Sequence, residues 1–271
     1  VELIVLGSGS SGNTALVRGE GTTILVDAGL SARKTLARLD IAGISVGEID
    51  AVLLTHEHGD HTAGLPVLLR SLGCPVYATR LTADELRENN PRHAKTSWKV
   101  FGKGSPFSLG SFEITAFAVP HDAADPVGFT IRCGDLSLGI LTDLGHVNSA
   151  IIEQIQEVDG LFVEANHDEE MLHTDTRRPF SIKQRILSPH GHLSNRAAAD
   201  LASRVLSPRL RQIVLGHLSR DCNTAELAIS VVRASLRQAT SIEIHAAGQD
   251  EALPPVRLAL TSNHRWPTAN K

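Results

Sequence analysis

Residues 51–61 read Ala51-Val52-Leu53-Leu54-Thr55-His56-Glu57-His58-Gly59-Asp60-His61. The opening apolar run has the character of a strand buried on both faces. After it, His56, His58 and Asp60 follow at intervals of two, with His61 adjacent. On a helix, side chains two apart diverge, but in the turn after a strand they can converge on one point. A polar surface loop would not explain why three imidazoles and a carboxylate crowd the end of a buried strand. The expectation is therefore a metal site.

The pattern recurs along the chain. Ala118-Val119-Pro120-His121, Ile140-Leu141-Thr142-Asp143 and Val214-Leu215-Gly216-His217 each end an apolar run on one candidate ligand. Any one alone reads more readily as a satisfied core histidine or a capping aspartate. Together, in the order His-x-His-x-Asp-His, His, Asp, His, the series resembles that of the metallo-β-lactamase superfamily. The resemblance implies an α/β fold, a four-layer αββα sandwich of two mixed β-sheets with flanking helices. It also implies one metal on His56, His58 and His121, a second on Asp60, His61 and His217, and Asp143 between them. Asp27, in Val26-Asp27-Ala28-Gly29, matches an aspartate that buttresses the turn. Two divalent ions so held would acidify a shared water and neutralise charge on a phosphoryl or acyl oxygen. The donors suit Zn2+, and their carboxylate share also admits Mn2+.

The bulk properties agree. The chain has 271 residues, is 42% hydrophobic and 21% charged, and carries a net charge of −4. It has no apolar run near the ~20 residues of a membrane helix, no evident linker, and no repeat, so one domain, 1–271, is expected. Val1-Glu2-Leu3-Ile4-Val5-Leu6 opens directly as a strand, without the features of a secretory signal. Cys74, Cys133 and Cys222 are odd in number and scattered, which points to a reducing cytoplasm rather than a disulfide framework. The net charge excludes a nonspecific nucleic-acid coat but not a nuclease with one basic face. Strands are expected at Leu3–Leu6, Thr14–Val17, Thr23–Val26, Phe112–Val119, Gly160–Glu164, Gln212–Leu215 and Val256–Leu260. Helices are expected at Ser31–Leu39, Leu65–Leu72, Ser149–Gln156, Ser194–Val205 and Ala225–Leu236, with Glu164–Asn195 as an irregular functional loop.

Gly7-Ser8-Gly9-Ser10-Ser11-Gly12 fits the dinucleotide fingerprint, with Asp27 about twenty residues on. That fingerprint needs a helix opening at its third glycine. Asn13-Thr14-Ala15-Leu16-Val17 reads instead as a strand, so a hairpin-like loop is expected.

The whole chain is also similar to the YycJ (WalJ) family of metallo-β-lactamase-fold DNA exonucleases. The resemblance rests on Gly7–Asn13, Asp27-Ala28-Gly29-Leu30-Ser31, the histidine-rich turn, Val119–Ala123 and Thr142–His146. It continues through Glu164-Ala165-Asn166-His167-Asp168, Gly191-His192-Leu193-Ser194-Asn195 and His217-Leu218-Ser219. It departs after Ser219, where an Asn-rich pair is expected and Arg220-Asp221-Cys222-Asn223 stands. The family implies a 5′→3′ exonuclease acting on DNA in repair. The block from Glu164 to Asn195 also resembles ribonuclease Z, in which a glutamate ending a strand works with a histidine opening the next helix. The catalytic residues implied are thus Asp60, His192 and Glu164. Arg177, Arg178, Lys183 and Arg185 could contact a phosphate backbone, although such a cluster is more often a solvated face. With 7 Phe, 2 Trp and 1 Tyr, base stacking is not expected to be the main grip. An RNA-processing hydrolase is the first rival, weakened by the lack of a long insertion to grip tRNA. A thioesterase or lactonase is the second, opposed by the basic loop and the Glu164/His192 pair. A nonenzymatic metal-binding module would need an incomplete ligand set, and this one is complete.

Overall fold

Leu3 and Val5 pack to one side of the first strand and Ile4 and Leu6 to the other, and all four are buried. A strand buried on both faces needs a covering layer on each side. The computed structural model, which describes residues 1–236, 239 and 241–259, supplies those layers. One sheet comprises β1 (Glu2–Gly7), β2 (Thr14–Gly19), β3 (Thr22–Val26), β4 (Ala51–Leu53), β5 (Val76–Ala78), β6 (Trp98–Val100) and β14 (Val256–Arg257). The other comprises β7 (Phe107–Leu109), β8 (Phe112–Ala118), β9 (Val127–Cys133), β10 (Leu136–Leu141), β11 (Gly160–Glu164), β12 (Gln212–Gly216) and β13 (Glu243–Ala246). Leu3, Val5, Val17 and Ile24 meet Ile114, Phe129, Ile140 and Phe162 between the sheets.

Helices cover both outer faces. On the first sheet lie α1 (Ala32–Ile41), α3 (Leu65–Leu72) and α4 (Arg80–Asn89), following the one-turn α2 (Gly59–Thr62) for the latter two. On the second lie α5 (Ser149–Ile155), α8 (Asn195–Arg204) and α9 (Ala225–Ser235). Two short helices, α6 (Glu169–Thr174) and α7 (Phe180–Ile186), stand in the stretch expected to be irregular. The sequence hid α7 because it has no buried residue, and so no apolar stripe. The four-layer αββα sandwich of two mixed sheets is as expected. The last strand is shorter than the expected Val256–Leu260, and Leu260 lies outside the described residues. No described helix is long and apolar enough to cross a membrane.

The topology contains a repeat that the sequence does not display. From β14 through β1, β2 and β3 the neighbours pair antiparallel, and from β3 through β4 and β5 to β6 they pair parallel. From β7 through β8 and β9 to β10, and on through β11 and β12 to β13, the second sheet does the same. The candidate ligands gather where strands of both sheets end, the usual place for a site in open α/β sheets.

Three residues at those ends, Asp27 (φ 60°), Asp143 (φ 49°) and His217 (φ 54°), adopt the left-handed conformation. Non-glycine residues seldom do so, and the cost is of order 1 kcal/mol or more each. Each stands just past the end of its strand, Asp27 after Val26, Asp143 two residues after Leu141 and His217 after Gly216, where a positive φ breaks the extended chain. The turn carrying His56–His61 is clamped in the same region. Ala28 N–H donates to His61 O at 2.7 Å, Asn13 N–H to Asp60 O at 2.7 Å, and Gly64 N–H to Ala28 O at 2.9 Å. Gly29 permits this approach, because a Cβ there would sit 1.6 Å from Asp60 O. Gly29→Ala should therefore cost about 3 kcal/mol and roughly 10 °C in Tm, with weakened metal uptake. Gly102→Ala, with nothing within 4 Å of its added carbon, should stay within about 0.5 kcal/mol of the parent. Equal thermal stability of the two variants would contradict this account.

Candidate active site

The turn after β4 aims its side chains as its spacing implies. His56 and His61 are buried, and each imidazole is oriented through one nitrogen. His61 Nδ1 lies 2.7 Å from Asp27 Oδ2, and His56 Nδ1 lies 3.0 Å from Thr55 Oγ1. Thr55 itself donates its N–H and hydroxyl to Asp27, each at 2.8 Å. His58 Nε2 faces Asp122 O at 3.1 Å, and His121 Nδ1 faces Gly191 O at 3.1 Å. Partners of this kind fix the tautomer and present the other nitrogen to a metal.

Those other nitrogens converge. One donor set is His56, His58 and His121; a second is Asp60, His61, Asp143 and His217, with ligand atoms within 4.8 Å of one another in each. Asp143 Oδ2 lies 2.6 Å from His61 Nε2 and 3.4 Å from His56 Nε2, so one oxygen faces both sets. Asp60 Oδ2 closes the second set, 3.7 Å from His61 Nε2 and 3.5 Å from His217 Nε2. His56 Nε2 is buried and makes no hydrogen bond among the described residues. An orphaned lone pair inside a ring of imidazoles and carboxylates fits a divalent cation. Burial pushes His56 well below its usual pKa, into the neutral form that ligates. Burial acts the same way on His61, but the carboxylates of Asp143 and Asp27 outweigh it and raise His61 well above its usual value. A cation entering that set displaces a proton.

A third grouping, Asp143, Glu164, His192 and His217, is equally close, and in it the Glu164 oxygens are engaged by neighbouring donors. Glu164 ends β11 fully buried. Its Oε2 accepts from Leu144 N–H at 3.0 Å and Leu193 N–H at 3.1 Å. Its Oε1 lies 2.6 Å from His192 Nδ1 and 3.0 Å from His217 Nδ1. Burial alone would raise the Glu164 carboxyl, yet His192 and the hydrogen bonds hold it down to about 2. Burial likewise lowers His192, and the charges of Glu164 and Asp143 overcome this and lift it to about 9. In this grouping Glu164 forms a hydrogen-bond network that positions two histidines.

A cleft of about 410 Å³ opens over the site, lined by His58, Asp60, His121, Asp143, His192 and His217 together with Ser10, Asn166, Arg178, Arg185, Ile186 and Ser219. Of the basic residues singled out in the sequence, Arg178 and Arg185 reach this cleft, whereas Arg177 and Lys183 do not line it. Lys183 and Arg185 are two apart on a helix, so they face different sides. Neither cleft arginine is a bare charge. Arg178 pairs with Asp175 at 2.7 Å and Asp221 at 3.2 Å, and Arg185 with Asp122 at 2.6 Å. Among the residues after Ser219, Arg220 turns to Asp250, Asp221 pairs with Arg177 and Arg178, and Asn223 is buried against Asn195.

Some supporting residues carried no individual signal in the sequence. The loop that mimics a dinucleotide fingerprint holds the site together instead. His217 N–H donates to Ser8 Oγ at 2.7 Å, and Ser8 Oγ donates to Asn13 Oδ1 at 3.1 Å. Asn13 Nδ2 lies 2.9 Å from His61 Nε2. These contacts join residues distant in the chain.

Known proteins similar to this chain agree with its fold. A family model described as a beta-lactamase superfamily domain matches residues 22–217. The structure of the metallo-beta-lactamase fold protein YhfI from Bacillus subtilis aligns with a TM-score of 0.72 over 93% of this chain and 98% of that one, at 20% identity, a likeness of fold. Exodeoxyribonuclease WalJ of Streptococcus pneumoniae is 37% identical over 258 residues, spanning 92% of this chain and 95% of the relative. Exodeoxyribonuclease YycJ of Bacillus anthracis is 39% identical over 227 residues, spanning 83% and 84%. The chain belongs to the WalJ/YycJ family of the metallo-β-lactamase superfamily.

Glu164→Gln replaces an acceptor of four donors with an amide that must itself donate. The variant should lose about 2–4 kcal/mol of stability in chemical denaturation. Asn166→Ala, which removes one hydrogen bond to His217 O, should lose only about 1 kcal/mol. A Glu164→Gln protein as stable as its parent would mean that the carboxylate is not holding these loops.

Proposed function

We propose that this chain is a metal-dependent exodeoxyribonuclease, holding two divalent ions, Zn2+ or Mn2+, and cutting DNA from its 5′ end during repair in the cytoplasm. The observation that carries the reading is the sharing of one cleft by two donor sets, joined at Asp143, and the His192–Glu164 pair. Membership of a family whose relatives are named exodeoxyribonucleases supports DNA as substrate. The unpaired state of Cys74, Cys133 and Cys222 suits a reducing compartment.

In this reading His56, His58 and His121 would hold one ion and Asp60, His61 and His217 the other, with Asp143 facing both sets. Bound there, the ions would supply an acidified water as nucleophile and neutralise charge on the phosphoryl oxygens. The protein's own groups do the rest. Phosphodiester cleavage expels an alkoxide, which needs a proton as the bond breaks. His192 Nδ1 is occupied by Glu164, which leaves Nε2 to give that proton in the cleft. Glu164 positions His192 and does not touch substrate. Arg178 and Arg185 steady the phosphate backbone from the cleft wall.

Asp143→Asn should abolish hydrolysis and lower bound metal, measured by elemental analysis after reconstitution. A protein that is fully active with a single ion overturns the two-ion reading. His192→Ala should reduce kcat on DNA by about two to four orders of magnitude with metal content intact. A nitrophenyl phosphodiester, whose leaving group needs no proton, should largely rescue it. Loss of metal in His192→Ala, or an equal loss on the activated substrate, removes His192 from the acid role. Substrate class is tested with end-labelled DNA and RNA, a thioester and a lactone; fast turnover of the last two with none of DNA sinks the proposal.

A further inference from the structure

The glycine-rich loop between β1 and β2 supports the site through Ser8 and Asn13, and one of its residues is left over. Ser10 is exposed and lines the cleft with Asp60, Asp143 and His217. Neither its hydroxyl nor its N–H makes a hydrogen bond among the described residues. Every other polar side chain of the cleft is already engaged. Arg178 and Arg185 hold carboxylates, Asn166 donates to His217 O, and Ser219 Oγ accepts from Arg178. The rest belong to the two donor sets and the His192–Glu164 pair.

The chain nevertheless holds Ser10 firmly. Gly9 adopts φ 143°, and a Cβ there would fall 2.4 Å from the Gln249 side chain. Gly9 N–H donates to Asn13 Oδ1 at 2.7 Å, and Ser11 N–H to Gln249 Oε1 at 3.3 Å, so both neighbours of Ser10 are tied down. Gln249 is buried and donates through Nε2 to Leu218 O at 2.9 Å. The buried Arg38 guanidinium then staples Leu6 O to Gln249 O and Asp250 O. A pair of donors fixed in this way at the apex of a loop loses little further freedom on binding.

The donors indicate what they meet. Serine hydroxyls and backbone N–H groups are regular contacts of phosphate oxygens, and they carry no base preference. Ser10 is exposed where Asp143 and His217 are buried, so it stands at the rim of the cleft and not on its floor. Asn13 N–H, which donates to Asp60 O, sets the loop against the second donor set. Arg185, through Asp122, stands beside the first.

We propose that Ser10 binds, through its hydroxyl and N–H, a non-bridging oxygen of the phosphate next to the one cut, with Gln249 as the residue that positions it. This rests on the reading of the chain as a DNA exonuclease and deepens it, giving the strand a contact beside each donor set.

The test uses the full-length, metal-loaded protein with single-stranded DNA. One series of strands carries a neutral methylphosphonate at the linkage next to the cut. Ser10→Ala, which keeps the N–H, should raise KM by about 3- to 10-fold, the loss of one hydrogen bond, with kcat affected less. Ser10→Glu should raise KM further by repelling the phosphate, and should lose that extra penalty on the methylphosphonate strand. Ser10→Lys should bring KM below the parent's and steepen its salt dependence. Gln249→Ala should raise KM as Ser10→Ala does, and the two losses should not add, because both act on one contact. If Gln249→Ala does not fold, the Ser10 series alone decides. A KM indifferent to the charge at position 10 overturns the proposal, as does a glutamate penalty that persists in full on the methylphosphonate strand. Loss of metal from Ser10→Ala places Ser10 with the donor sets and equally overturns it. If the parent cleaves a nitrophenyl phosphodiester but no DNA, the exonuclease reading falls and this inference with it. If the parent degrades DNA and the Ser10 variants match it, this inference alone falls.

Discussion

The Glu164 carboxylate, fully buried, accepts from two backbone amides and meets two imidazoles. Leu144 follows Asp143, and Leu193 follows His192, so one side chain ties the loop after β10 to the loop before α8. Through His217 it also ties the end of β12. A buried carboxylate stripped of such partners costs several kcal/mol, so these loops cannot shift independently without exposing it to that penalty. Asp143, His192 and His217 are thus set relative to one another before any ligand arrives. That is preorganisation in its physical sense: the cost of ordering is met during folding rather than during the reaction.

Asp27 does the same work on the opposite sheet. It follows β3 in the left-handed conformation and meets Thr55 N–H, the Thr55 hydroxyl and His61 Nδ1. By the order of pairing, β3 and β10 occupy equivalent places in their sheets, and each is followed within two residues by an aspartate at positive φ, Asp27 and Asp143. One became a buttress and the other the group that faces both donor sets. The site is built at the seam of two similar halves, which is why its residues come from widely separated parts of the chain.

How much of this the sequence displays depends on the range of the interaction. The His56–His61 turn is local, and its spacing and position after an apolar run suffice to read it. The later candidate ligands, His121, Asp143 and His217, are legible only as strand-end residues in a particular order. Glu164 is legible as a strand end and a family match, but its burial and four partners are tertiary facts. Ser8 and Asn13 illustrate the limit: their glycine-rich loop is visible, and its role is fixed by contacts with residues far away. Helix α7 is hidden for a different reason, since helix periodicity is a burial signal and α7 buries nothing. Likewise Arg177, Arg178, Lys183 and Arg185 are equivalent as charges in a list of residues, and only the backbone decides that two of them line the cleft.

Those two arginines bear on how substrate is held and let go. Arg178 shares its guanidinium with Asp175 and Asp221, and Arg185 shares its own with Asp122. A phosphate entering the cleft must compete with carboxylates already in place, so each arginine contributes less than a free one would. The chain as a whole is acidic, at −4, and Asp60 and Asp143 add negative charge to the cleft itself. The attraction for a polyanion therefore has to come largely from the divalent ions that the donor sets would hold, which makes substrate affinity conditional on metal loading. Arg178 and Arg185, already held by carboxylates, would add only a modest grip of their own.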